Sequence, residues 1–245
     1  MTEAESSRCR SLGVDGILII NVRSFVDRRR NIERQLDSFG LKCEFIHVYD
    51  VCDLDSDIVR KFLRGCSLSP GQRSCAMKHF EALRLVVARD WESALVLEDD
   101  VILAPDFVHG IRDAVKESSC LDHPHVIFIG SGGNLYTPRS MRVPGQRLYR
   151  ATKGRLTEAY IVSRQAAQLR IEWIERHGII LPIDALLDLI DREMGIELYW
   201  FEEPVAEQGS KNGTFMSTLE PAPPNIVQRI KFRLQKIRRK YLYNW

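Results

Sequence analysis

The chain alternates short apolar runs with longer segments in which apolar residues recur every three or four positions. The short runs have the length and the Val, Leu and Ile content of buried strands, and they fall at residues 16–22, 43–49, 94–97, 125–130, 156–162 and 195–200. The longer segments have the spacing of amphipathic helices and fall at residues 32–40, 53–66, 70–87, 107–115, 163–177 and 182–193. This order predicts an α/β fold.

One helix in this series carries a clear start signal. Ser69 is a predicted N-cap, and Pro70 is the predicted first helical residue. Cys75 and His79 follow on the same helix four residues apart, so they share one face. On spacing alone, His79 is either a hydrogen-bonded structural histidine or a site residue.

Three consecutive acids, Glu98, Asp99 and Asp100, follow the apolar run at 94–97 directly. Burial of three adjacent carboxylates without partners is costly, so we expect them where the strand leaves the sheet. Ligands bind at such strand ends in α/β proteins. Carboxylate oxygens there suit Mg²⁺ or Mn²⁺ holding a diphosphate. A solvated acidic turn is the alternative interpretation of the triplet alone.

Basic residues follow the first predicted strand. Arg28 and Arg29 lie between Asn21, at the end of that strand, and a helical segment that ends at Gly40. A strand, a basic loop and a helix in this order suit the approach of nucleotide phosphates. A solvated basic helix start explains the same residues equally well.

Composition narrows the class of protein. A chain of 245 residues with 44% hydrophobic and 28% charged residues is typical of a globular protein with one sizeable core. No apolar run approaches the roughly 18 residues of a transmembrane helix, and the polar N-terminus lacks a signal-peptide core. The six cysteines contain no Cys-x-x-Cys pair, which indicates free thiols in a reducing compartment. These features predict a cytoplasmic location.

The charge is distributed unevenly. Residues 225–245 contain seven Lys and Arg residues and no acid, so a chain of net charge +2 has −5 on residues 1–224. Apolar residues recur among these bases, as in a basic amphipathic helix on an anionic membrane surface. A solvated tail or a dimer contact is the alternative. The acidic body argues against nucleic-acid binding.

Several segments resemble, in order, the blocks of glycosyltransferase family 25, the lipopolysaccharide and lipooligosaccharide galactosyltransferases, which are related to collagen galactosyltransferases. The matching segments are the strand with Asn21, Ser69-Pro70-Gly71-Gln72 with Cys75 and His79, Leu97 to Val101, residues 159–167, and Pro182-Ile183-Asp184. The resemblance covers residues 14–218. Two positions depart from the family pattern: Gln72 replaces a usual Glu, and Lys78 stands where Ser is frequent.

The resemblance implies a GT-A-type fold (nucleotide-diphospho-sugar transferase), a Rossmann-like mixed sheet flanked by helices, in a domain at 14–218 with the tail at 225–245 appended. It implies an inverting transferase that uses a UDP-sugar and Mn²⁺ or Mg²⁺. Asp100 is then the metal ligand, supported by Glu98. The donor-side residues are Asn21, Arg28, Arg29, Ser69, Gln72, His79, Glu98, Asp99 and Gln208.

Inversion by single displacement requires a base that takes the proton of the acceptor hydroxyl. Asp184 is the leading candidate, and its alternative role is to cap the helix that starts beside it. Asp188 and Glu158 are the reserve candidates.

These features together predict a metal-dependent transferase that moves galactose from a UDP donor to a lipopolysaccharide-type glycolipid or oligosaccharide. It would act as a peripheral protein on the cytoplasmic face of a membrane. The alternatives are a non-catalytic sugar-nucleotide or glycan-binding relative and a metal-dependent phosphohydrolase. UDP release in the presence of an acceptor distinguishes the transferase from the non-catalytic relative. Phosphate release without any acceptor identifies the phosphohydrolase.

Overall fold

A computed structural model describes residues 12–63 and 65–209, together with residue 234. Seven strands form one mixed sheet in the order β2-β1-β3-β7-β5-β8-β6. Their bounds are β1 Gly16–Ile20, β2 Glu44–Ile46, β3 Ser93–Glu98, β5 His125–Phe128, β6 Leu148–Ala151, β7 Ala159–Ser163 and β8 Glu197–Phe201. A separate ribbon pairs β4, Val101–Leu103, with β9, Ala206–Gln208.

Six α-helices connect and cover the strands in the described part of the chain. They are α1 Val26–Ser38, α2 Asp57–Phe62, α3 Pro70–Ala88, α4 Phe107–Ser118, α5 Arg164–His177 and α6 Ile183–Met194. Short 3₁₀ turns occur at Val51–Asp53, Gly132–Asn134 and Arg139–Met141. The predicted α/β fold, a Rossmann-like mixed sheet flanked by helices, is confirmed.

The sheet is buried on both faces, which explains its almost continuous apolar strands. Along β1, Leu18 and Ile20 belong to the core beneath α2, α3, α5 and α6, whereas Ile17 and Ile19 belong to the core beneath α1 and α4. This alternation follows from the two-residue period of a strand. Each face of the sheet therefore supplies one of two hydrophobic cores.

The strand directions bring the acidic triplet to an open edge. Strands β2, β1 and β3 are parallel, and β7 runs antiparallel to β3. The backbone N–H of Asp99 donates to the carbonyl of Ile20 over 3.1 Å, so the residue after β3 stays attached to the end of β1. The carboxyl ends of two parallel neighbours therefore lie side by side at the triplet.

Two predicted elements are shorter than the patterns indicated. The strand predicted over 43–49 ends at Ile46, because Lys78 Nζ donates to the carbonyls of Ile46 and Val48 and Tyr49 has a positive φ of 64°. The helix predicted over 53–66 covers only Asp57–Phe62. The chain forms a 3₁₀ turn at Val51–Asp53 and then restarts as α2, with Ser56 as its N-cap.

The remaining segments either lack regular structure, add one short strand, or lie outside the described residues. The polar segment at 136–154 is mostly irregular, with β6 pairing antiparallel to β8 near its end. The strand β9 was not predicted. No helix in the described ranges is both long enough and apolar enough to cross a membrane. Residues 210–218, and the tail at 225–245 except residue 234, lie outside the described chain.

A buried ion pair joins α5 to α6. Arg170 donates to both carboxylate oxygens of Asp191, over 2.8 and 2.6 Å, and both side chains are 1% exposed. We expect Arg170→Met to lower the free energy of unfolding by about 3–5 kcal/mol, since it leaves a buried carboxylate without its partner. Urea unfolding measures the change.

The matched control for this prediction is the double variant Arg170→Met/Asp191→Leu. It removes both charges and keeps apolar volume, so it should recover most of the lost stability. An equal loss in the single and the double variant would contradict the assignment of the effect to an unpaired carboxylate.

Candidate functional site

A cavity of about 310 Å³ opens where the carboxyl ends of β1 and β3 face the first turns of α3. Its walls contain six of the residues predicted for the site, together with apolar, small and basic side chains. The lining residues are Ile20, Asn21, Val22, Phe25, Arg28, Val51, Gly71, Ser74, Cys75, Lys78, Glu98, Asp99, Asp100 and Gln208.

The topology explains why a cavity forms here. Strand β1 lies between β2 and β3, and the chain leaves it toward α1 on one face of the sheet. It reaches β3 from α3 on the opposite face. Because the two connections diverge, a crevice opens at the carboxyl ends of β1 and β3, where open α/β sheets bind ligands.

Asp99 is held by Asn21, in the loop after β1, and by Arg28, in the first turn of α1. Asn21 Nδ2 donates to Asp99 Oδ2 over 2.7 Å, and Arg28 Nη1 donates to Oδ1 over 3.1 Å. His47 Nε2 lies 3.1 Å from Asn21 Oδ1 and orients that amide. Burial raises the pKa of Asp99, while the charge of Arg28 opposes the shift. Asp99 therefore anchors Asn21 and Arg28 to the edge of the sheet.

Glu98 points toward a buried polar chain beneath α3. Its Oε1 lies 2.9 Å from the Thr157 hydroxyl oxygen and 3.5 Å from His79 Nε2. His79 Nδ1 and the Tyr160 hydroxyl share a hydrogen bond of 3.1 Å. Burial alone would raise the pKa of Glu98, but His79 and Thr157 more than offset it, so that pKa lies below its usual value.

Asp184 joins this chain through the same threonine. Its Oδ1 accepts from the Thr157 backbone N–H over 2.9 Å and lies 2.7 Å from the Thr157 hydroxyl oxygen, whose single proton can be donated either to Asp184 or to Glu98. Burial raises the pKa of Asp184, and the neighbouring Glu98 raises it further. Asp184 does not line the cavity, but one hydroxyl group connects it to Glu98.

Asp100 and Gln208 meet where β3 passes into the ribbon. Gly209 N–H donates to the Asp100 carbonyl over 2.8 Å, and Gln208 pairs with Val101. Gln208 Oε1 is buried and has no hydrogen-bond partner among the described residues. Asp100, Glu98 and Gln208 all line the cavity and carry oxygen atoms of the kind that Mg²⁺ and Mn²⁺ prefer.

The buried Lys78 lines the cavity but its ammonium group is fully engaged inside the protein. Its Nζ donates to Ile46 O over 3.2 Å, to Val48 O over 2.7 Å and to Asp50 Oδ1 over 2.8 Å. Burial lowers the pKa of Lys78, although the bond to Asp50 opposes this. An ammonium group has three N–H donors, so this lysine fastens β2 and its following loop to α3.

Asp50 receives a second cation from the loop after β1. Arg23 Nε donates to Asp50 Oδ2 over 2.9 Å, and Arg23 also pairs with Asp53. Burial alone would raise the pKa of Asp50, but the bonds from Lys78 and Arg23 bring it below its usual value. Four residues around the site were not predicted: Lys78, Asp50, Thr157 and Tyr160. Of these, only Lys78 gave a signal in the sequence, as a lysine among apolar positions on α3.

Several predicted residues lie away from the cavity. Ser69 Oγ accepts from the Gln72 N–H over 3.3 Å, and Gln72 Oε1 accepts from the Ser69 N–H over 3.0 Å, so their side chains form a capping box. Arg29 pairs with Glu33 on the surface of α1. Asp188 Oδ1 accepts from the Gly154 N–H over 2.9 Å.

Glu158 lies beneath the loop that contains Gly130, Gly132 and Gly133, and it does not line the cavity. Its Oε1 accepts from the Gly132 N–H over 2.5 Å, and a Cβ atom at Gly130 or Gly132 would overlap its side chain. Burial raises the pKa of Glu158 to about 8. This position favours a protonated acid that supports the backbone at Gly130 and Gly132.

Comparison with known proteins finds a matching family model and several curated relatives. A family model described as glycosyltransferase family 25 (LPS biosynthesis protein) matches residues 14–187. A "Glycosyltransferase 25 family member" of Aedes aegypti is 26% identical over 190 residues, which are 73% of this chain and 31% of that protein. "Procollagen galactosyltransferase 1" of Danio rerio is 28% identical over 209 residues, with 79% and 34% covered.

The chain spans about a third of the length of these curated relatives. Among solved structures, the inositol-1-phosphate CTP transferase from T. maritima is 12% identical, with a TM-score of 0.39. The alignment covers 96% of this chain and 83% of that one.

The position of Glu158 generates a prediction for the pH dependence of stability. Its pKa of about 8 in the folded state exceeds the ordinary value of 4.5. Between these values the folded state holds one proton more than the unfolded state, so this residue lowers stability as pH rises, by about 1.4 kcal/mol per pH unit. We expect Glu158→Gln to remove this slope.

Urea unfolding of the wild type and Glu158→Gln at pH 5, 6.5 and 8 tests the prediction. The stability difference between them should shift in favour of the variant by about 1 kcal/mol per pH unit. The glutamine amide leaves one buried polar group unpaired at every pH, which adds a constant amount to the stability difference. The change of that difference with pH is therefore the diagnostic quantity. A pH-independent difference would contradict a protonated Glu158.

Proposed function

The chain belongs to glycosyltransferase family 25, and from that premise we propose that it transfers galactose from UDP-galactose to a hydroxyl group of a glycan acceptor, with inversion at the anomeric carbon. The observation that carries the proposal is the convergence of Glu98, Asp100 and Gln208 on one cavity beside Arg28. The galactose comes from the names of relatives, which include procollagen galactosyltransferases.

The cavity has the two kinds of surface that a nucleotide diphosphate needs. Ile20, Val22, Phe25 and Val51 form an apolar wall suited to a flat base. The Arg28 guanidinium, held by Asp99 and placed 5.0 Å from the Phe25 ring centre, supplies positive charge for the phosphates. Binding of UDP across these two surfaces would direct the sugar toward Glu98.

Asp100, Glu98 and Gln208 would hold the divalent cation of the proposed reaction. When bound, such a cation neutralises diphosphate charge and so stabilises the leaving group. Gln208 adds an oxygen ligand without adding another negative charge beside the triplet. Asp99 is committed to Asn21 and Arg28 and keeps the donor-side loop in place.

Asp184 is the proposed base. The acceptor oxygen forms a bond to the anomeric carbon as the bond from that carbon to the diphosphate oxygen breaks, and the acceptor proton passes to Asp184. A carboxylate with a raised pKa is a stronger base at neutral pH than an ordinary one, and burial raises the pKa of Asp184 in this way. Thr157 orients Asp184 through its backbone N–H and through the hydroxyl group that lies between Asp184 and Glu98.

The capping box weakens the non-catalytic alternative. The only sequence feature in its favour is Gln72 in place of the family's usual Glu. Gln72 accepts the Ser69 N–H at the third position of α3, and Gln and Glu both perform this role. The replacement therefore leaves the helix start intact and removes no group from the cavity lining.

The acceptor is proposed to be a lipopolysaccharide-type glycolipid, consistent with the description of the family model. The basic residues at 225–245 would then place the enzyme on the cytoplasmic face of an anionic membrane. These residues lie outside the described chain, except residue 234, so the membrane role rests on the sequence alone.

The metal assignment predicts the result of a matched pair of substitutions. Asp100→Asn should reduce UDP release with UDP-galactose, Mn²⁺ and acceptor by at least about a hundredfold, because it removes a charge that holds the cation. Asp27→Asn changes an acid with a 96% exposed side chain on α1 and should leave the rate unchanged. Equal rates in Asp100→Asn and wild type would contradict the proposal.

The link between Glu98 and Asp184 predicts a second result. Thr157→Val keeps the side-chain shape but loses the hydroxyl, so we expect kcat to fall by about tenfold to a hundredfold. Thr157→Ser retains the hydroxyl and should keep most of the rate. The KM for UDP-galactose should change little in both. A similar loss of kcat in the serine and valine variants would remove the positioning role.

A further inference from the structure

Three side chains of different chemistry meet where α3 faces the end of β3. They are Cys75, His79 and Glu98, and one potential ligand atom of each lies within 4.8 Å of the other two. The proposed transfer reaction uses Glu98, but it gives no role to the thiol of Cys75 or to the Nε2 atom of His79.

His79 has a buried nitrogen that faces the Glu98 carboxylate without a well-formed hydrogen bond. The side chain is fully buried, and Nε2 has no hydrogen-bond partner in the described part of the chain. Buried polar atoms in folded proteins nearly always have a partner, so an unsatisfied one requires an explanation. The Tyr160 hydroxyl 3.1 Å from Nδ1 fixes the ring and keeps Nε2 directed at Glu98.

The separation of the nitrogen and the carboxylate oxygen fits two ligands of one ion. His79 Nε2 and Glu98 Oε1 are 3.5 Å apart, which is long for a hydrogen bond. In a tetrahedral zinc site with bonds of about 2.0–2.3 Å, neighbouring ligand atoms lie roughly 3.3–3.6 Å apart. An ion between these two atoms would accept both lone pairs.

Cys75 supplies the third ligand and an entry path. It precedes His79 by four residues on α3, so the two side chains project from the same helix face. The thiol is free and half-buried, and Cys75 also lines the acidic cavity. An ion can therefore reach the site from the cavity, and a water molecule there can fill a fourth position.

We propose that Cys75, His79 and Glu98 form a zinc-binding site that shares Glu98 with the oxygen site of Asp100 and Gln208. Thiolate and imidazole ligands favour Zn²⁺, whereas Mg²⁺ and Mn²⁺ favour oxygen ligands, so the two sites select different metals. Cys75 binds as the thiolate, and its proton passes to solvent. The Nε2 lone pair of His79 is available when Nδ1–H donates to the Tyr160 oxygen.

Cobalt is a spectroscopic probe of this site that does not depend on activity. The full-length protein is treated with a chelator and a reductant and then titrated with Co²⁺. We expect sulfur-to-cobalt charge-transfer absorption that saturates at one equivalent, together with the intense visible bands of tetrahedral Co²⁺. Addition of Zn²⁺ should remove both. Because the readout is metal binding, its outcome is independent of the proposed transfer reaction.

Two cysteine variants locate the site. Cys75→Ser should lose the charge-transfer absorption and bind Zn²⁺ more than about tenfold more weakly. Cys66→Ser changes another half-buried free cysteine outside the group and should retain both properties. Absence of the absorption in the wild type, or its persistence in Cys75→Ser, would overturn the proposal.

A measurement on the wild type covers the case in which Cys75→Ser does not fold. Thiol alkylation followed by mass spectrometry gives the rate of modification at each cysteine with and without Zn²⁺. We expect Zn²⁺ to slow modification of Cys75 more than about tenfold and to leave Cys66 unchanged. Equal modification of Cys75 in both conditions would also overturn the proposal.

Discussion

The structure around the site depends on how three adjacent carboxylates are separated at the end of β3. The backbone of the triplet is fixed first, since Glu98 N–H donates to Glu158 O over 2.9 Å and Asp99 N–H donates to Ile20 O over 3.1 Å. With the backbone held between its two neighbours, successive side chains enter different surroundings. Mutual repulsion is relieved because each carboxylate has its own environment.

The long helix α3 closes the other side of the cavity, and polar contacts hold it there. Its first turn is fixed by the capping box of Ser69 and Gln72. Ser74 Oγ donates to Tyr49 O over 2.6 Å, and Lys78 binds the two carbonyls that follow β2 together with Asp50. Lys78, one of the two departures from the family pattern, therefore stabilises a wall of the cavity rather than contacting a phosphate.

The sequence was sufficient for features that depend on short-range order. Strand and helix positions followed from apolar periodicity, the start of α3 followed from Ser69 and Pro70, and the position of the acidic triplet at a strand end followed from its apolar flanks. The resemblance added Gln208 to the expected site, and the structure places it on the cavity wall.

Contacts between distant segments could not be predicted in the same way. The pairing of Val101 with Gln208 joins positions more than a hundred residues apart, and β9 is too short to have a recognisable period. The ion pair of Lys78 with Asp50 depends on how loops cross in space. The same is true of the position of Thr157 between Glu98 and Asp184. Glu158 stays a reserve prediction for the base, and its packing against Gly130 and Gly132 could not be predicted from its position in the sequence.

The contrast between Glu98 and Asp184 gives the site its chemical logic. One threonine hydroxyl contacts both carboxylates, yet their pKa values move in opposite directions. Contacts to His79 and Thr157 bring the pKa of Glu98 below its usual value despite burial, whereas burial and the charge of Glu98 raise the pKa of Asp184. Neighbouring carboxyl groups with diverging pKa values suit one as a fixed anion and the other as a proton acceptor. A cation at Glu98 would also weaken its repulsion of Asp184, so binding of metal would change the basicity of the group proposed to take the acceptor proton.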